Sequence, residues 1–137
     1  MENRDYLLKQ LEAFGEALRR LRSKVSLLKE SDATDIEVAE IDELMKAVIG
    51  INLQDIANLT NEDFLDVLLE KKLKGADLSN VINLLVDLAK VKRGMQDKYN
   101  SNQLLSKALF LGNYLASQKM AFFENIKALD EARKLLK

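Results

Sequence analysis

Between residues 2 and 30, in ENRDYLLKQLEAFGEALRRLRSKVSLLKE, apolar side chains return at alternating intervals of four and three. They are Leu7, Leu11, Phe14, Leu18, Leu21, Val25 and Leu28. Only a helix collects this spacing onto one narrow stripe. Three heptads of it meet the minimum for a coiled-coil-like seam. Such a helix is roughly 40 Å long at ~1.5 Å per residue, enough to cross a small domain. Leu8, Ala13 and Ala17 widen the apolar face, which suits a bundle better than a bare two-stranded coil. With Leu11 as an a position, the flanking sites carry Arg22, Lys24 and Lys29. A parallel copy of the same helix sets like charges against each other, so an acidic partner helix fits better. The seam has two destinations: the core of its own chain, or a subunit interface formed by Leu11, Phe14, Leu18, Leu21, Arg22 and Val25. Gly15 interrupts the pattern at about 1 kcal/mol relative to Ala.

The rest of the chain reads as shorter helices. It has no Pro, only 5 Gly among 137 residues, and abundant Leu, Ala, Lys and Glu. The expected fold is all-α, a single domain over 1–137: a bundle or stack of five to six helices organised on the first. A hydrophobic fraction of 47% argues against disorder. The charge is segmental. Residues 1–30 carry seven basic and five acidic groups, 31–66 one and ten, and 67–137 thirteen and seven. This polarity bears on how segments pair and falls short of an argument for nucleic acid.

Thr34 and Glu37 have capping-box spacing ahead of a helix over about 35–49, with Ile41, Leu44 and Val48 as its buried stripe and Val38 and Met45 beside it. Gly50 ends it. Residues 51–59 form a short helix or an irregular packed connection. Thr60 caps the next helix, whose apolar face carries Phe64, Leu65, Val67, Leu68 and Leu69 and which Gly75 stops. Another runs from Leu78 to about Gln96, capped by Ser79 or Asp77, with an early end at Gly94 as the alternative. The polar stretch 97–101 breaks the chain. The last 36 residues are one helix or a hairpin hinged at residues 116–119, and the hairpin is preferred because two helices close a compact domain more easily. One stripe there is Leu104, Ala108, Leu111 and Leu115; another is Phe122, Ile126, Leu129 and Leu136.

LGNYL at 111–115 resembles the first helix of a tetratricopeptide repeat: Leu111 and Gly112 match, and Leu115 is an accepted substitute for the Tyr. Ala108, Ala128 and Glu131 depart from the pattern, and no second copy follows. The resemblance covers about 30 residues and implies helix-hairpin packing of that type. NRDYLLKQLEAFGEALRRL is similar to the opening of a family of small, uncharacterised all-helical bacterial proteins, through Asp5, Tyr6 and Gln10. That resemblance implies no activity and no site residues.

Without His or Cys, most transition-metal and nucleophile–base sites are excluded, as is a disulfide framework. No glycine-rich phosphate loop occurs. Asp35, Glu37, Glu40, Asp42 and Glu43 lie on a helix, unlike the loop ligands of an EF-hand, and are expected to be solvated or to meet the basic groups of the first helix. Arg19, Arg20, Arg22 and Lys24 read as a face flanking the leucine stripe. No catalytic, metal or cofactor residue is assigned. The expected role is a non-enzymatic module for protein–protein interaction or self-association. The alternative is a ligand-sensing bundle with an apolar pocket at Phe110, Tyr114 and Phe122. The charged first twenty residues and the shortness of uncharged runs such as 108–118 make a cytoplasmic protein, with no membrane partner, the expectation.

Overall fold

A computed structural model describes residues 15–25, 27, 35–71, 73, 75–120 and 122–136. The fold is all-α, and no strand occurs among the described residues. The helices are α1 (residues 15–25), α2 (Asp35–Ile49), α3 (Leu53–Asn58), α4 (Asn61–Glu70), α5 (Gly75–Gly94), α6 (Lys98–Ser117) and α7 (Ile126–Leu136). A single 3-10 turn, Phe123–Asn125, leads into α7. Leu7, Leu11, Phe14 and Leu28 of the expected seam, and Thr34 of the capping box, lie outside the described residues.

α5 is the centre of the molecule. Leu78, Val81, Ile82, Leu84, Leu85, Val86, Leu88 and Ala89 are all buried, so the helix is covered on nearly every side. Its most extensive partner is α6. One hydrophobic cluster joins Leu18, Leu21 and Val25 of α1 to buried side chains from each of the other six helices. The described part of the seam, Leu18, Leu21 and Val25, is therefore core of its own chain. Burying three such side chains contributes roughly 1.5–3 kcal/mol each.

The helix starts are built as their sequences imply. Thr60 Oγ1 accepts the amide of Asp63 at 3.1 Å. The short α3 has two caps: Asn52 Oδ1 accepts the amide of Asp55 at 2.8 Å, and Asp42, reaching across from α2, accepts the amide of Leu53 at 2.6 Å. Asp97 Oδ1 caps α6 through the amide of Asn100 at 3.2 Å.

Several expectations need correction. Leu44 is 37% exposed; α2 buries Ile41, Met45 and Ile49 instead, a stripe rotated by one residue toward the core. Leu69 and Ile126 are also exposed rather than core. Gly75 does not stop α4, which closes at Glu70 with Lys71 as its cap; Gly75 opens α5, three residues earlier than expected. A Cβ on Gly75 would meet the Phe122 ring and the Met120 sulfur at 3.2 Å, so the glycine admits the connection between α6 and α7 against the start of α5. Ser79 is no cap. It is fully buried within the helix.

The last 36 residues form the hairpin. α6 ends at Ser117, the Met120 amide donates to the Leu115 carbonyl at 2.8 Å, and Lys119 takes φ 58°. That is a Schellman-type ending with lysine in the left-handed position. Gly112 lets α7 approach: a Cβ there would sit 2.9 Å from Leu129 Cδ1.

Candidate functional site

Down one side of α5 run Ser79, Asn83, Asp87 and Lys90, spaced by four, four and three residues. Helical geometry puts them in one line. Asn83, Asp87 and Lys90 of this line form the α5 side of an open cleft of about 200 Å³ that α1 and α7 also border. The cleft is lined by Arg22 of α1, by Asn83, Val86, Asp87 and Lys90 of α5, by Glu124 of the 3-10 turn, and by Lys127, Ala128 and Glu131 of α7.

A buried hydrogen-bond cluster closes one end. Asn125 Nδ2 donates to the Ser79 carbonyl at 3.0 Å and to Asn83 Oδ1 at 2.9 Å. The Ser79 hydroxyl lies 2.9 Å from Glu124 Oε1 and 2.8 Å from Asn125 Oδ1, so its one proton is shared between two acceptors. Asn83 Nδ2 donates to the Glu124 carbonyl at 3.3 Å. These bonds fix the 3-10 turn, and with it the first turn of α7, against α5. A buried polar network of this kind is costly unless its members are satisfied, and here Ser79, Asn83 and Asn125 all are.

The other end is held by an ion pair between Lys90 and Glu131 across α5 and α7. Arg22 enters from α1, its Nη1 donating to Asn80 Oδ1 at 2.6 Å. Its Nε is buried and has no hydrogen-bond partner. The lining thus holds three cations, three anions and a carboxamide beside the apolar side chains of Val86 and Ala128.

The residues expected from sequence to form sites are placed as follows. Leu18, Leu21 and Val25 are buried in the core; Arg22 lines the cleft; Leu11 and Phe14 lie outside the described residues. Phe110, Tyr114 and Phe122 are half-buried, and none of them lines this cleft. A second cavity, about 10 Å³ between Val25, Val38, Ile41, Leu53, Leu88, Val91 and Lys92, has room for about one water and is a packing gap. Of the acidic cluster, Glu40 pairs with Lys24 of α1 at 3.5 Å and Asp42 caps α3. The acidic helix therefore does meet the basic edge of the first. Among the described residues, no group of acidic side chains is placed to hold a metal ion, and no helix is long and apolar enough to cross a membrane.

Lys107 of α6 is apart from the cleft and 1% exposed. Desolvation by burial lowers its pKa below the usual lysine value.

The cleft was missed because its parts come from four elements. The signal that marks it is the polar line on α5: Ser79, Asn83, Asp87 and Lys90 along one side of a helix whose middle is otherwise apolar from Val81 to Val91. A central helix tolerates such a line only where the residues find partners or water.

No family model, curated protein or solved structure matches the chain, so the functional argument rests on its own geometry.

Proposed function

We propose that this protein is a non-enzymatic helical binding module, and that it engages a partner polypeptide at the cleft between α1, α5 and α7. The observation that carries the reading is the cleft's size and lining. At about 200 Å³, open and charged, it is smaller and far more polar than the sites of about 300–1,000 Å³ that enclose whole small molecules. It is the right scale for one or two side chains presented by another chain. The first-helix stripe, the other candidate surface, is taken up by the core over the residues described. The cytoplasmic setting expected from the cysteine-free, charged sequence is kept with this reading.

The test is co-purification from the native host at native expression level. Lys127→Glu alters the cleft at an exposed position, and Glu43→Lys makes an equal change on the outer face of α2. Both variants are first checked for an unchanged helical spectrum and melting temperature. A stoichiometric partner retained by the wild type and by Glu43→Lys, and lost by Lys127→Glu, supports the reading. No stoichiometric partner, or one held equally by all three, removes it. A small molecule that raises the melting temperature by binding the folded state would favour ligand sensing instead.

A further inference from the structure

The 3-10 turn and α7 are seated chiefly on α6 and α5. Only Ala132 of α7 is fully buried, whereas α6 buries Leu104, Leu105, Leu111 and Leu115. Leu129, Leu135 and Leu136 of α7 are half-buried against the core, and Ile126 is 54% exposed. α5 meets this segment with polar groups along its whole length. Ser79 and Asn83 bond Glu124 and Asn125 of the turn, and Lys90 pairs with Glu131 in the middle of α7. Near the end of α7, Arg93 Nη2 donates to the Leu135 carbonyl at 3.1 Å. On α6, Leu129 rests over Gly112, which has no side chain to uncover.

Hydrogen bonds and ion pairs to α5 are exchanged for bonds to water when α7 leaves, so each contributes little net free energy. Apolar burial is lost outright on opening, and in α7 it is small. Ala132 is the one member of the fully buried cluster that α7 supplies. A segment attached in this way opens at a lower free energy than the whole fold. The connection ahead of it offers a hinge. Residues 116–120 are exposed, and Lys119 at φ 58° holds a conformation that opening relaxes.

We infer that the 3-10 turn and α7 form a strap, which opens from α5 and α6 as one unit while the rest stays folded, and that this opening switches the cleft off. Glu124, Lys127, Ala128 and Glu131 line the cleft from the strap, so the cleft exists only while the strap is closed. A partner held there keeps the strap shut. The opening stands by itself; its role as a switch rests on the binding-module reading.

The test is native-state hydrogen exchange, read amide by amide by NMR on the intact protein over a range of low urea concentrations. Amides of residues 129–134 are expected to exchange at least about tenfold faster than those of Leu84, Leu85 and Leu88, with one shared dependence on urea. Glu131→Lys sets two cations against each other. It speeds the α7 amides several-fold and leaves those of α5 unchanged, and adding Lys90→Glu restores them. Asn125→Ala, at the other end of the strap, speeds the same α7 amides. The inference is overturned if the α7 amides exchange no faster than those three of α5, or if their rates are graded residue by residue, as in fraying. It is also overturned if Glu131→Lys speeds α5 and α7 equally. An opening strap with no partner captured at the cleft removes the module reading and leaves the strap. A partner captured there while α7 opens only with the whole fold does the reverse. With both found, bound partner slows the α7 amides; unchanged rates remove the switch.

Discussion

Lys107 illustrates how one residue sets a condition on the whole fold. Its side chain lies within α6 at 1% exposure, and no carboxylate is paired with it among the described residues. Burial disfavours the charged amine, so its folded-state pKa lies below the ordinary 10.5. The sign of the linkage follows. Below the folded value both states are protonated, and the full cost of burying the charge is present. Between the folded value and 10.5 the unfolded chain holds a proton that the folded chain has released, so stability rises with pH through this window. Lys107→Met keeps much of the apolar stem and removes the charge. It is expected to raise stability by about 1 kcal/mol at neutral pH and to flatten that alkaline rise. Urea denaturation at neutral pH and at several alkaline values checks both; a variant less stable than wild type at neutral pH contradicts the account.

At the scale of elements, two helices stop without the residue that chemistry favours. α5 and α6 both end with the Schellman pattern, the Asp97 amide reaching the Lys92 carbonyl at 2.9 Å and the Met120 amide reaching that of Leu115 at 2.8 Å. The left-handed positions hold Gln96 at φ 65° and Lys119 at φ 58°. A side chain there costs roughly 1–2 kcal/mol that glycine avoids. Gln96→Gly and Lys119→Gly are each expected to stabilise by about 1 kcal/mol, after allowing for glycine's greater entropy loss. Thermal melts of the two variants decide it, and a lowered melting temperature in both rejects the strain argument. The same endings explain what the sequence left open. With no Gly or Pro at 116–119, nothing local marked the break, and only the packing preference favoured a hairpin. Gly75 misled in the opposite direction: a glycine after three lysines reads as a stop, yet its small size serves the contact with Phe122. Thr60 and its helix were legible because cap, acidic first turn and apolar face agree locally. Leu44 was misplaced because Leu44 and Met45 both fit a helical stripe, and the neighbouring helices decide which turns inward.

Over the whole molecule, the all-α class was readable from composition and period, while the candidate site was not. Local pattern reports what a helix buries. It does not report that Arg22, Glu124 and Lys127, separated by about a hundred residues at the extremes, border one space. The segmental charge did anticipate a contact, since the acidic α2 meets α1 through Glu40 and Lys24. That pair is exposed at both ends and contributes at most about 1 kcal/mol, so it orients the helices more than it holds them. Leu18, Leu21 and Val25 of α1 go into the core, the polar line of α5 borders the cleft, and α7 forms its other wall. The central claim is that this cleft is the surface another polypeptide meets. It is tested most directly by placing a photo-crosslinking amino acid at position 127, and separately at position 43, in the protein expressed in its native host. The account predicts a discrete crosslinked polypeptide from position 127 and none from position 43. No crosslink at 127, or the same product from both positions, contradicts it.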